Sequence, residues 1–268
     1  MPLVSVIVPA YNQEQWIAET LDSVLAQTFA DWECVVLNDG STDKTLSIAE
    51  EYARKDGRFR VFSQPNAGLS AARNQGIRHA EGEYILPLDA DDTISPGYLE
   101  AAMKRFSEVP ETKLVYCKAD FFGALTGPWK LPPYQWERFI RVNCIFCSCV
   151  YRRADFDRVG GYDETLRQGL EDWNFLLSLL QPEDIVYQIP QVFFHYRRRS
   201  ESMSIISLEK EQELYFEVVK RHPELFRSRV YHDLRERAIY PDLDLERKVG
   251  HVILKPKRLI RSLFMKDQ

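Results

Sequence analysis

The sequence predicts an α/β fold: a mostly parallel, twisted sheet flanked by helices, with a C-terminal helical extension. Three observations carry this expectation. Short β-branched runs alternate with amphipathic stretches from Val4 to Leu88. A cluster of polar residues follows each apolar run. The chain has 268 residues and 45% hydrophobic content, enough for one large domain and an appendage.

The elements follow in order. Residues 4–8 form a β-branched run closed by Pro9, and residues 14–27 place Trp16, Ile17, Leu21, Val24 and Leu25 on one helical face. Residues 32–37 read as a second buried strand, and Ser41-Thr42-Asp43 offers capping side chains before a helix over 45–54. A short strand at 60–63, a helix at 70–79 and a strand at 84–88 complete the alternation. Strand and helix at this spacing mean βαβ units and a parallel sheet covered on both faces. Ligands in such sheets bind outside the carboxyl ends of the strands. The clusters Tyr11-Asn12, Asn38-Asp39-Gly40-Ser41, Asn66-Ala67-Gly68 and Asp89-Ala90-Asp91-Asp92 all fall there.

The middle is less regular. A strand is expected at 114–118, a loop at 127–133, a helix at 134–142 and a strand over 145–151. Residues 171–180 predict a helix with Trp173, Leu176, Leu177 and Leu180 on its apolar side, and 185–197 predict one or two strands broken by Pro190. The stretches 208–221 and 229–239 are charged and amphipathic, and residues 248–266 are basic, with Pro256 interrupting them.

Composition removes several function classes. A net charge of −5 gives no reason to expect a nucleic-acid partner. Five cysteines, an odd number lying mostly in apolar runs, argue for buried reduced thiols over a disulfide framework or structural zinc. The N-terminus lacks a signal-peptide pattern, and no apolar stretch of about 18 residues is long enough to span a bilayer. The expectation is a cytoplasmic protein.

Asp89, Asp91 and Asp92 repel one another at neutral pH unless a cation or hydrogen-bond donors offset their charge. Carboxylate oxygens suit Mg²⁺ or Mn²⁺, and a site with one or two of them completes its shell with water and substrate phosphate. Asp92 alone is explained as the N-cap of a helix over 93–106, but that reading leaves Asp89 and Asp91 unaccounted for. Neither a P-loop nor a Gly-x-Gly-x-x-Gly fingerprint is present.

Five motifs occur in order: Val6-Ile7-Val8-Pro9-Ala10-Tyr11-Asn12, Asn38-Asp39-Gly40-Ser41-Thr42-Asp43, Asn66 to Gly76, Asp89-Ala90-Asp91-Asp92 and Glu171-Asp172-Trp173. Together they resemble the family 2 glycosyltransferases of GT-A fold over about residues 3–205. The resemblance implies transfer of a sugar from a nucleoside diphosphate, with inversion at the anomeric carbon. It divides the chain into a catalytic domain, 1–205, with a donor half about 1–95 and an acceptor half about 96–205, and an extension, 206–268. It implies donor contacts at Pro9, Tyr11, Asn12, Asp39, Asn66, Arg73, Asp89 and Ala90, a metal ligand at Asp91 and a general base at Asp172. Asn38 departs from the aspartate of many members, and Gln-x-x-Arg-Trp, the mark of processive synthases, is absent.

The chemistry agrees with these residue types. A cation stabilises the departing diphosphate, and a carboxylate at a helix start takes the proton of the attacking hydroxyl. Glu171 is the residual candidate for base, and both acids also suit the helix dipole. Tyr162, Asp163 and Trp173 are candidates for the acceptor side, with Tyr162 and Asp163 equally parts of a structural loop and Trp173 more readily a core residue, since it shares a face with Leu176, Leu177 and Leu180. Arg197 is the favoured phosphate contact, His195 a candidate metal ligand, and Arg198 and Arg199 are read as solvated. The basic tail fits contact with an anionic membrane surface, or packing on the catalytic domain or a second copy of the chain. The expected partners are a nucleotide-sugar donor, most readily a UDP-sugar, and a glycan or lipid-linked acceptor. A sugar nucleotidyltransferase is disfavoured because residues 9–13 contain neither glycine nor lysine. A non-catalytic nucleotide-sugar-binding scaffold is opposed by the intact Asp91 and Asp172.

Overall fold

The computed structural model describes residues 1–199 and 208–226. The chain divides into two units, residues 1–202 and 203–268, each described by itself.

In the first unit β1 (Val4–Ala10), β2 (Trp32–Asn38), β3 (Phe59–Ser63) and β4 (Tyr84–Pro87) pair in parallel, in the order β3-β2-β1-β4. β1 and β2 are buried along their whole length, as strands covered on both faces must be. The connecting helices are α1 (Ile17–Leu25), α2 (Thr45–Lys55) and α3 (Leu69–His79). Helix α3 lies close on the sheet because Gly76 has no side chain: a Cβ there would stand 2.6 Å from Cγ2 of Ile7.

Beyond β4 the sheet becomes mixed. β5 (Thr93–Ile94), α4 (Tyr98–Glu108), β6 (Thr112–Gly123), β7 (Gly127–Trp129), α5 (Trp136–Phe139), β8 (Val150–Arg152), α6 (Arg153–Val159), α7 (Glu171–Leu179) and β9 (Ile185–Arg198) follow. The sheet continues β4-β8-β6-β9-β5, with β7 added on β6. β8 runs antiparallel to β4 and β6, β9 parallel to β6, and β5 antiparallel to β9.

Several local expectations need correction. The region 185–197 is one strand, because Pro190 and Gln191 are absorbed as a bulge between the pairs Cys117↔Ile189 and Lys118↔Val192. The expected loop at 127–133 contributes β7, whose Trp129 ring lies tilted against Tyr196 at 4.9 Å. The helix expected over 134–142 is a single turn, and the strand expected over 145–151 shortens to β8. The helix expected from Thr93 begins only at Tyr98, after Pro96-Gly97, so Asp92 is not its N-cap. The five cysteines are free thiols, buried except for the half-buried Cys147.

In the second unit α8 (Leu208–Arg221) is the helix its amphipathic pattern predicts, and α9 (Pro223–Phe226) follows it. The Phe226 ring meets Tyr215 edge-on at 6.4 Å. The helical stretch expected at 229–239 and the basic tail at 248–266 lie outside the described residues. Among the described residues no helix is long and apolar enough to cross a membrane.

Candidate active site

The carboxyl ends of β1, β2 and β3 carry a rim of loops locked by backbone–side-chain hydrogen bonds. The N–H of Asn12 donates to Ser41 Oγ at 3.0 Å, and Asn12 Oδ1 accepts the Thr42 N–H at 2.9 Å. The Gln13 N–H reaches Thr45 Oγ1 at 2.7 Å, and the Glu14 N–H reaches Asp43 Oδ2 at 3.0 Å. Asn12 holds a left-handed backbone, φ +52°, uncommon for a residue with a side chain. Asp39 is buried, and its carboxylate accepts from the N–H groups of Ala67 and Gly68, both at 2.9 Å, and from Gln64 Nε2 at 2.7 Å. Asn38, also buried, accepts the Ser41 N–H at 3.2 Å. Asp39 and Asn12 thus hold the rim together, while Tyr11 stands 47% exposed and Asn66 is exposed beside it in the rim. Pro9 is the penultimate residue of β1 and is buried.

The aspartate cluster after β4 divides sharply. Ala90 is buried and Asp89 and Asp91 are half-buried. Asp89 Oδ1 accepts from Arg73 Nη2 at 2.7 Å, and its Oδ2 lies 3.6 Å from Cys147 Sγ. Asp91 is paired with Arg199, which also donates to Gln13 Oε1 at 2.6 Å. Burial and the neighbouring Asp89 push the Asp91 pKa up, and Arg199 pulls it back. Asp92 is 1% exposed; its Oδ1 accepts the Arg197 N–H at 2.8 Å, and its Oδ2 has no hydrogen-bond partner among the described residues. Burial, then Asp91 and Asp89, raise its pKa well above the carboxylate range.

This donor set fits a hard divalent cation at one carboxylate. Asp91 already faces a positive group, Asp89 adds negative potential beside it, and Asp92 is pushed toward its neutral form by the same crowding. Among the described residues no group of three His, Cys, Asp or Glu encloses a metal by itself, which suits a cation that takes water and phosphate beside a single carboxylate. His195 is not among its ligands as folded. Its Nδ1 is held by Asp120 Oδ1 at 2.6 Å and its Nε2 by Ser95 Oγ at 2.7 Å, tying β5, β6 and β9 together. The expected metal role of His195 is corrected on that ground.

The second centre is the start of α7. Gly169, φ +121°, and Leu170, in a left-handed conformation at φ +61°, turn the chain into the helix. A non-glycine residue held there signals a backbone fixed by its surroundings. Glu171 accepts from Arg73 Nη1 at 2.7 Å and is 12% exposed. Asp172 accepts from Asn143 Nδ2 at 3.2 Å and from the Trp173 N–H at 2.7 Å. Its pKa is pushed up to about 7, first by burial and next by the charge of Glu171, with Arg73 acting against both. Of the two acids, Asp172 is the one without a cationic partner holding it.

Tyr162, Asp163 and Arg197 depart from expectation, and Trp173 takes the core place its apolar face predicts. Tyr162 is buried, stacked on Phe175 at 4.2 Å, and Trp173 is 1% exposed with its Nε1–H donated to the Phe139 carbonyl at 2.8 Å. Both are core residues and present no surface to an acceptor. Asp163 is half-buried and closes a turn by accepting the Thr165 N–H at 2.8 Å. Arg197 is buried between the rings of Trp16 and Phe122, 4.3 and 4.1 Å from its guanidinium, and pairs with Glu19 and the Asp91 carbonyl. It braces the cluster from behind, and Arg199, two residues on, faces Asp91 instead. The signal for this was present: His195, Arg197 and Arg199 alternate in step with a strand, and only the last reaches beyond β9. Gln13, Asn143 and Cys147 were not singled out by the sequence and are placed here by contacts far apart in the chain.

A locked rim at strand ends, an aspartate cluster after β4 and an acidic pair opening a later helix define a GT-A fold, and the chain belongs to glycosyl transferase family 2. Its sequence matches that family over residues 5–160 and the related glycosyltransferase like family 2 over residues 133–243. The uncharacterized glycosyltransferase EpsJ of Bacillus subtilis (strain 168) is 34% identical over 222 residues, covering 77% of this chain and 64% of that protein. The chain therefore spans less than two thirds of that relative's length. S. aureus TarS 1-349, solved in complex with UDP-GlcNAc, superposes with a TM-score of 0.67 at 24% identity over 88% of this chain and 76% of its own. The mannosyltransferase PcManGT from Pyrobaculum calidifontis, solved with GDP-Man and Mn²⁺, superposes with a TM-score of 0.63 at 20% identity over 99% of this chain and 88% of its own. At these identities the two structures speak for the fold.

Proposed function

We propose that this protein is an inverting, metal-dependent glycosyltransferase that moves a sugar from a nucleoside-diphosphate donor, a UDP-sugar first, to a hydroxyl of a glycan or lipid-linked acceptor in surface polysaccharide synthesis. One observation carries the reading. Arg73 hydrogen-bonds both Asp89 and Glu171, which brings the cluster around Asp91 and the base candidate Asp172 to the same rim.

Residues of this chain divide the work. The Tyr11 ring offers a platform to a nucleobase, and Asp39 keeps the loop after β3 closed beneath it. Asp91 would hold Mn²⁺ or Mg²⁺, which when bound offsets the charge developing on the departing diphosphate. Arg199, beside Asp91, suits phosphate oxygens by its planar fork of donors. Asp172 takes the proton of the acceptor hydroxyl as it attacks the anomeric carbon, and Asn143 orients its carboxylate. The UDP-GlcNAc bound by TarS supports uracil as the base. The GDP-Man bound by the mannosyltransferase makes guanine the alternative to test.

The test is a thermal-shift panel of UDP, GDP and dTDP and their common sugar conjugates, with and without Mn²⁺. The expected result is a Tm increase with one base that requires Mn²⁺ and disappears in Asp91→Ala. Shifts equal with and without metal, or intact in Asp91→Ala, would contradict the reading.

A further inference from the structure

Arg73 occupies a position that binding a donor does not explain. It is 1% exposed, and its guanidinium lies over the Tyr162 ring at 5.4 Å. Its Nη1 and Nη2 donate to Glu171 Oε1 and Asp89 Oδ1, each at 2.7 Å, and its Nε is buried without a partner among the described residues. Helix α3 is fixed to the segment leading to α7 by the neighbouring residue as well. Asn74 Oδ1 accepts the Tyr162 N–H at 2.8 Å, and Asn74 Nδ2 donates to the Tyr162 carbonyl at 2.9 Å. The arginine is therefore anchored on a rigid helix and joins two carboxylates contributed by different halves of the fold.

We infer that Arg73 is a positioning residue: by binding Glu171 it withdraws one of two adjacent acids and leaves Asp172 as the sole proton acceptor, in register with Asp89. This inference rests on the assignment of Asp172 as base. Two neighbouring carboxylates at one helix start would otherwise compete for the same proton and repel one another. With Glu171 held by a buried cation, its charge is offset and its carboxylate is turned toward α3. Among the described residues, the charged and titratable groups with the largest influence on Asp172 are Glu171 on its own helix, Arg73 on α3, Asp89 after β4, and Cys147 and Cys149 ahead of β8. Arg73 is the only cation among them. Glu171 and Asp89 both raise the Asp172 pKa, and Arg73 lowers it.

The experiment is a double-mutant cycle of Arg73→Gln and Glu171→Gln. It is read by the pH profile of kcat/KM for release of the nucleoside diphosphate from the nucleotide sugar that the thermal-shift panel selects. Nucleotide affinity is measured in parallel by calorimetry with Mn²⁺. Removing the arginine should move the acid limb to higher pH by about one unit, and removing the glutamate should move it lower by a similar amount. In the double variant the limb should stay close to that of Glu171→Gln, because the arginine acts through the glutamate. Nucleotide affinity in Arg73→Gln should change by less than about fivefold while kcat falls at least about a hundredfold, the range of a lost general base. Arg73→Lys, which keeps the charge but reaches only one carboxylate at a time, should recover part of kcat.

A loss of nucleotide binding in Arg73→Gln with an unmoved limb would overturn the inference and make Arg73 a donor contact. So would a limb that moves equally with and without Glu171. Should Arg73→Gln fail to fold, Glu171→Gln alone decides: a limb that does not move overturns the bridge. If Asp172→Asn keeps turning over, the base assignment falls and this inference with it. A dead Asp172→Asn beside an unmoved Glu171→Gln removes the bridge alone.

Discussion

Asp172 carries two consequences of opposite sign. Its pKa is pushed up to about 7 by burial and by Glu171. A base works only when ionised, so kcat/KM should fall about tenfold per pH unit below that value and level off above it. A profile flat down to pH 5 would contradict the role. For folding the sign reverses. In the unfolded chain the carboxyl ionises near ~4, so the folded state resists ionisation. The stability this residue permits is fully present below about pH 4 and is lost as pH rises through about 7. Asp172→Asn removes that penalty. It should raise Tm above pH 7 by about 2–4 °C for each kcal/mol relieved, with the gain shrinking toward pH 5. A variant that is both inactive and more stable is the expected signature of a site held against its own folding preference.

At the scale of elements, the rim depends on loops that only particular backbones can form. Gly40 sits at φ +74°, and a Cβ there would stand 2.7 Å from the Asn66 backbone nitrogen. Gly40→Ala should lower the unfolding free energy by about 1–3 kcal/mol and weaken nucleotide binding, both measurable by urea titration and calorimetry. Unchanged stability would mean that the close approach of these loops is unimportant. The parallel half of the sheet was legible because buried strands are near-continuous apolar runs and each is followed by its polar loop. The second half was not, for particular reasons. β7 and β8 are three residues each, too short for a period to register. Pro190 looked like a strand end because a bulge cannot be read from one strand alone. Asp92 looked like a cap because nothing local reveals its partner, the Arg197 N–H on β9. At the site, the family resemblance pointed to Asp91 and Asp172, and the roles of both are proposals. Partners distant in the chain settled which charge each arginine and histidine serves, and those partners removed His195 and Arg197 from their expected contacts.

Across the whole first unit, α3 joins the two halves of the chemistry. It presents Arg73 to Asp89 and Glu171, and it clamps the Tyr162 backbone through Asn74. The sheet places Asp91 and Asp172 around one rim although they lie in different halves of the sequence. The basic stretch 248–266 belongs to a different question, how the chain meets its acceptor. Removing residues 246–268 should reduce sedimentation with liposomes containing anionic lipid. Equal sedimentation would refute a membrane-surface role for the tail. The central claim is that a donor held through Asp91 is attacked by a hydroxyl activated at Asp172. Its most direct test is Asp172→Asn, assayed for sugar transfer and, in the same preparation, for Mn²⁺-dependent nucleotide binding. The account predicts that transfer is lost while binding stays within a fewfold of the unsubstituted protein; undiminished transfer would contradict it.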